Sequence, residues 1–407
     1  MAAILAGPLL VVQVGRADLD VYRRGASAFL HGASLYAPLF AARVPGHLPF
    51  TYPPFAAAAA VVLLIFPSAV VPWMWAITTV MLLGWCLRLS FGPLLRSLPT
   101  PVDLTLAVLT ALVLYTRPVF DHLSDGQVDI LLMALCLADA VTPRPRWPRG
   151  ALVGIATAIK LVPGIFIPYL WLTGRRRAAI VATATFLTCD GAAALVAGGD
   201  SRRYWTRLMF DTERPGYTAG YKNQSLRGVG LRLLPSHFPL PSGLGVFPRV
   251  LHLRGGLRLS LLPGQGRTLV LGLMAVLVVT VGLAMARSAA VRGRAVTGAI
   301  TTGLVGVLAS PVSWIHATVW AVPAIGVLVG DLTSRVRVVA GAALMVALLA
   351  GLPYVPNVEP GLATPVVVLL QASFGLVCLL LVAIIPGVPH EGRQVSVAGS
   401  GRTLTTS

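Results

Sequence analysis

Asp18 and Asp20 stand where an apolar N-terminal run gives way to polar residues, in Gly15-Arg16-Ala17-Asp18-Leu19-Asp20-Val21-Tyr22-Arg23. An acid at a membrane boundary is costly to strip of water, so it either stays in a wetted loop or serves a reaction. A carboxylate held there can take a proton from a hydroxyl as that hydroxyl attacks. Tyr22 follows Asp18 by four residues and would share its helix face, either lining a site or anchoring at the interface. Tyr52 precedes Pro53-Pro54, and the two prolines suit a helix start. Lys160 is the one lysine inside an apolar run. An unpaired ammonium in hydrocarbon costs at least about 2.5 kcal/mol, which a phosphate partner or snorkelling to the headgroups would offset. Asn223, Gln224 and Arg227 bunch in a long polar stretch, and Trp314 and His316 stand at the mouth of a late apolar run. Amide, guanidinium and imidazole groups suit sugar hydroxyls and phosphates, and they also occur in ordinary loops. Asp121, His122 and Asp125 cluster beside Gln127, but their spacing is unspecific for a metal.

One reaction uses this set well. Sugar transfer from a lipid phosphate needs a base for the acceptor hydroxyl and cations or donors for the departing phosphate. The donor's tail lies in the bilayer, so its head sits at the interface, the depth expected of Asp18.

The elements that must position these residues are membrane helices. Of 407 residues, 56% are hydrophobic and 11% charged, with mean hydropathy +0.81. Soluble domains are about one quarter charged. Apolar runs recur near 55–66, 73–89, 104–118, 127–141, 150–173, 178–198, 267–286, 295–310, 316–330, 337–352 and 364–386. A crossing helix needs about 20 residues. The expected architecture is an all-α polytopic membrane protein with about 9–12 transmembrane helices over residues 1–386, the parity around 55–89 staying open.

The net charge of +18 comes from 32 Lys+Arg against 14 Asp+Glu. Arginines cluster between apolar runs, at Arg144, Arg146 and Arg149, at Arg175, Arg176 and Arg177, and at Arg287, Arg292 and Arg294. That is the pattern of cytoplasmic loops, and it argues against nucleic-acid binding. With those loops inside, 15–52 and 199–266 face outward as the first and the long outer loops. The 150–173 run has Lys160 and Pro163 at its middle and arginines on both flanks, so two half-helices turning at Lys160–Pro163 are expected. The N-terminal 1–14 reads as part of a first span, and the tail from 387 to 407 as disordered. The four cysteines form no CxxC pair and imply no disulfide framework.

The pair DLDVYRRGA…LPFTYPPFA resembles the opening loop of the polyprenyl-phosphate-mannose-dependent alpha-(1→2)-mannosyltransferases of mycobacteria and related actinobacteria, membrane glycosyltransferases of GT-C architecture. The resemblance continues in order through Gly126-Gln127-Val128-Asp129, Ile159-Lys160-Leu161-Val162-Pro163, Asn223-Gln224-Ser225-Leu226-Arg227-Gly228 and Ser310-Pro311-Val312-Ser313-Trp314-Ile315-His316. It implies a GT-C-like bundle with extracytoplasmic catalytic loops in the cell membrane, and an inverting enzyme with no cofactor and no metal. It implies Asp18 as catalytic base, with Lys160, Arg227 and His316 at the donor phosphate or sugar. Asp20, Tyr22, Arg23, Tyr52, Gln127, Asn223, Gln224 and Trp314 would line the acceptor pocket. The implied partners are polyprenyl-phosphate mannose, a glycolipid acceptor such as a phosphatidylinositol mannoside or lipomannan, and membrane lipids. A transporter or lipid flippase, or an enzyme using another lipid-linked sugar, is the competing reading. The first of these would more often show duplicated halves, and the sequence has no internal repeat.

Overall fold

The computed structural model describes residues 17–36, 48–234, 250–252, 258–260, 265–358 and 364–388. The expected first span at 1–14, parts of both outer loops and the tail from 389 lie outside the described residues. Helices dominate what is described. The only strands among the described residues form an antiparallel ribbon, Val250–His252 with Arg258–Ser260.

The helices that matter to the site begin with α1 (Ala17–Leu30), α2 (Pro54–Ala60) and α3 (Val71–Ser90). Next come α4 (Val102–Val113), α5 (Arg117–Asp125) and α6 (Asp129–Val141). A broken segment follows as α7 (Ala151–Ile159) and α8 (Phe166–Leu172), then α9 (Arg176–Val196) and α10 (Leu226–Leu233). The C-terminal part holds α11 (Gln265–Val291), α12 (Ala295–Ala309), α13 (Ala321–Val329), α14 (Arg335–Ala350) and α15 (Thr364–Ile384). Prolines open α2, α3 and α5 in the first turn, where the missing N–H would have no helical partner anyway.

Helices α3, α9, α11 and α15 are long and apolar enough to cross a membrane, and α4 with α5, bent by 77°, would make a fifth span if the pair counts as one. This is fewer than the expected 9–12 among the described residues. Four further apolar helices of 10–17 residues, Pro54–Leu64, Val162–Leu172, Ala295–Ala309 and Ile315–Val329, fall short of that length. α9 and α11 turn Ile180, Leu187, Leu195, Leu273, Val276 and Leu277 outward, so their exposed surface is apolar. Water would reject that surface and lipid chains accept it.

The 150–173 run breaks where expected. Lys160 ends α7 in extended backbone (φ −150°, ψ 128°), and a 3-10 turn, Val162–Ile165, leads into α8. Arg149 donates to the Asp139 carbonyl and Arg175 to the Ala140 carbonyl, so both arms meet the same end of α6. Lys160 is thereby carried to the far end of the hairpin. At the centre, α12 is buried from Thr297 to Leu308. The Trp320 ring lies flat on it, and a Cβ on Gly303 would come within 2.3 Å of that ring. Only a residue without a side chain allows the approach.

Candidate active site

The first turn of α1 separates the two candidate acids. Asp18 is buried at 8% exposure and faces a cavity of about 520 Å³, while Asp20 is exposed on the opposite side. The volume suits a ligand of sugar size. Leu19, Val21, Tyr22 and Ala26 hold the helix against the core.

The opposite wall comes from the turn between α5 and α6. Gly126 ends α5 in the left-handed region (φ 71°), and a Cβ there would lie 2.7 Å from the Leu19 Cβ. This contact brings Gln127 beside Asp18. The Gln127 Oε1 accepts from the Tyr22 hydroxyl at 3.1 Å and from the Tyr52 hydroxyl at 3.5 Å. The two hydroxyls are 3.0 Å apart. Tyr36 donates to the Tyr52 carbonyl at 2.7 Å and fixes the segment that enters α2.

Asp129 opens α6, and the Lys160 Nζ reaches its Oδ1 at 2.7 Å. The His316 Nε2 lies 3.6 Å from Asp129 Oδ2, and its Nδ1 lies 3.8 Å from Asp125 Oδ2. Asp18, Lys160, His316, Tyr52, Gln127 and Trp314 all line this cavity, so six of the expected site residues share one space. Burial pushes the Asp18 carboxyl up to about 6. Asp125 adds to the rise, while His316, the Gln127 amide and Lys160 oppose it.

Other expected residues are placed elsewhere. Arg227 pairs with Glu213 at 2.9 Å and donates to Thr212 Oγ1 at 2.9 Å, outside the cavity lining. Arg23 donates to the Leu63 carbonyl. Tyr22 stands one layer behind the wall, reaching it through Tyr52 and Gln127. Asn223 and Gln224 are fully buried, with their amides spent on backbone. The Asn223 Oδ1 accepts from the Ser225 and Ser313 amides, and its Nδ2 donates to the Thr218 and Pro311 carbonyls. Gln224 donates to the Gln371 carbonyl and accepts from the Gly375 amide, tying α10 to α15. The Asn223 amide and the Gln224 backbone N–H, which donates to the Ser313 carbonyl at 2.7 Å, clip the 311–316 loop and so position Trp314 and His316. Polar residues in a loop carry no mark that tells such backbone partners from sugar hydroxyls.

The sequence reading gave no role in this site to several residues that the fold brings to the cavity, Asp129 and Asp121 among them. Asp129 is the partner of Lys160, a pairing across 31 positions of sequence that no spacing rule reveals. Arg117, Asp121 and Tyr354 form a second polar wall: Asp121 accepts from Tyr354 at 2.6 Å and pairs with Arg117 at 2.8 Å. His122 accepts the Ile130 amide at 3.0 Å, so Asp121, His122 and Asp125 do not converge on one point. Among the described residues no group of three or more His, Cys, Asp or Glu could hold a metal ion.

A second cavity of about 410 Å³ adjoins the first and shares Thr51, Tyr52, Lys160, Val162, Pro215 and Val312 with it. Its far wall is mostly apolar, with Leu161, Ile165, Leu208, Met209 and Ala309. Arg214 stands at its edge, lying 5.0 Å over the Tyr36 ring and donating to the Phe50 carbonyl.

Residues 50–311 match the model of Glycosyltransferase family 87. The chain belongs to this family. Tyr52, Gln127, Asp129 and Lys160 lie inside the matched stretch, and Asp18 and His316 flank it. The likeness extends to curated relatives. The polyprenol-phosphate-mannose-dependent alpha-(1-2)-phosphatidylinositol mannoside mannosyltransferase of Mycobacterium tuberculosis is 31% identical over 346 residues, 82% of this chain and 74% of the relative. A protein of the same name from Mycolicibacterium smegmatis is 32% identical, covering 76% of this chain and 68% of the relative. The same organism's alpha-(1-2)-phosphatidylinositol pentamannoside mannosyltransferase is 35% identical over 310 residues, 75% of this chain and 67% of the relative. The resemblance drawn from the sequence motifs therefore holds along most of the chain. No solved structure matches it.

Proposed function

We propose that this family member is an inverting alpha-mannosyltransferase. It moves mannose from polyprenyl-phosphate mannose to a phosphatidylinositol mannoside or lipomannan type acceptor, forming an alpha-(1→2) bond. The observation that carries the reading is the buried Asp18 carboxyl, facing a polar cavity that opens into an apolar groove. The relatives are named as dependent on polyprenol-phosphate-mannose, which combines a prenyl chain, a phosphate and a sugar. That order matches apolar groove, cationic junction and polar cavity.

In the reaction the acceptor hydroxyl oxygen attacks the anomeric carbon. Asp18 takes its proton, the bond from that carbon to the phosphate oxygen breaks, and polyprenyl phosphate departs. One carboxylate acting as base, with no covalent intermediate, accounts for inversion. Lys160, which lines both cavity and groove, and His316, on the other oxygen of Asp129, stabilise the departing phosphate. Arg214, at the groove's edge, takes the part first expected of Arg227. Tyr52 and Trp314 give the sugar its aromatic walls. Several short apolar helices complete a GT-C-like bundle of about 9–12 spans, with the cavity facing the extracytoplasmic side. This sidedness rests on the arginine clusters at the other loops.

The test incubates membranes carrying the enzyme with radiolabelled polyprenyl-phosphate mannose and phosphatidylinositol mannosides. Transfer by the wild type, lost in Asp18→Asn at equal expression, supports the reading. Activity with a nucleotide sugar as direct donor would reject it.

A further inference from the structure

Gln127 stands beside the Asp18 carboxyl in the cavity wall and is itself clamped. Gln127 is 2% exposed and reaches the site only because Gly126 lacks a side chain against Leu19. Its backbone is held twice: the Gln127 amide donates to the His122 carbonyl at 3.0 Å, and the Trp75 indole N–H donates to the Gln127 carbonyl at 3.1 Å. Its side-chain oxygen accepts the Tyr22 hydroxyl, which in turn is 3.0 Å from the Tyr52 hydroxyl. A carboxamide has one acceptor end and one donor end. With the acceptor end committed to the phenols, the N–H end is left for the other neighbour of the side chain, the Asp18 carboxyl.

We propose that Gln127 is a positioning residue that holds Asp18 in its proton-accepting carboxylate form, and that Tyr22 and Tyr52 act by fixing the direction of the amide. The proposal rests on the reading of Asp18 as the base. An N–H donor favours the charged form of a buried carboxyl and also sets which oxygen lone pair points into the cavity. The phenols are neutral at working pH and face Gln127, so they lock the amide without adding charge. The charged and titratable groups facing Asp18 are His316, Asp125, Lys160 and the cavity-lining Tyr52, with Tyr22 behind. His316 and Lys160 also favour the carboxylate, and Asp125 opposes it. The amide therefore shares the task with two cations, and its removal should shift the proton equilibrium without abolishing the base.

The experiment measures kcat/KM against pH for mannose transfer by the full-length enzyme in detergent or nanodiscs. In Gln127→Leu the acid limb should move up by about one pH unit. Below the limb this is about a tenfold loss, and the gap from wild type should narrow as pH rises. Gln127→Glu, which sets a second carboxyl against Asp18, should shift the limb further in the same direction. The double variant Tyr22→Phe, Tyr52→Phe leaves the amide free to rotate and should shift the limb by less. It also carries the test should Gln127→Leu fail to fold. A folded Gln127→Leu with an unmoved limb, or a loss equal at every pH, overturns the proposal. Retained transfer in Asp18→Asn would instead overturn the assignment of the base itself.

Discussion

At the residue scale, the chemistry turns on which protons sit where. As the proposed base Asp18 must be ionised, and burial pushes its carboxyl up to about 6. As pH falls through that value the ionised fraction falls, so kcat/KM should drop about tenfold per pH unit below the limb and level off above it. A profile flat from pH 5 to 8, with chemistry rate-limiting, would refute Asp18 as the base. Asp18→Asn should lower the transfer rate by at least about two orders of magnitude. Asp20→Asn, on the exposed side of the same turn, should change it by less than about twofold. Lys160 and Asp129 form a largely buried pair, 21% and 11% exposed at their side chains. Removing one partner of such a pair strands the other charge, at about 3–5 kcal/mol. Lys160→Met should therefore lower the detergent melting temperature as well as the rate. A double Lys160→Met, Asp129→Leu variant should recover much of the melting temperature and none of the rate.

At the element scale, the site depends on two joints. The first is the α5–α6 turn. Gly126 sits at positive φ against Leu19, where any side chain meets both backbone strain and a clash at 2.7 Å. Gly126→Ala should push Gln127 away from α1, destabilise the protein by more than about 1 kcal/mol, and reduce kcat. Thermal melting and steady-state rates measured side by side check this. The second joint is the clip between α10 and the 311–316 loop. Asn223→Ala removes acceptors for the Ser225 and Ser313 amides and donors for two carbonyls, so buried groups lose their partners. Asn223→Asp keeps the acceptor and loses the donor, and it should be the milder change if the clip is what matters. A sugar-contacting role predicts instead a raised KM with unchanged melting.

At the scale of the whole molecule, the outward faces of α9 and α11 are apolar, and the candidate acid, lysine and histidine share one cavity. The proposed sidedness can be read directly in intact cells. In a background lacking the four native cysteines, Lys222→Cys at the cavity rim should react with a membrane-impermeant thiol reagent added outside. Arg146→Cys, in an arginine cluster, should stay unlabelled until the membrane is opened. The reverse pattern would turn the enzyme over.

Composition and the spacing of apolar runs sufficed to establish a helical membrane protein, because a crossing segment must be long, apolar and internally hydrogen-bonded whatever surrounds it. The broken hairpin at Lys160 was legible for a similar reason: a lysine and a proline in mid-run, between two arginine clusters, have few other solutions. The motif order also sufficed for the family. The partners were not legible. That Asp129 takes Lys160, that Asn223 and Gln224 serve the backbone, and that Arg227 faces Glu213 while Arg214 edges the groove are all decided by helices far apart in sequence. A side chain's type determines what it can bind. The packing of neighbouring helices determines which of those partners comes within 3 Å, and that information exists only once the chain has folded.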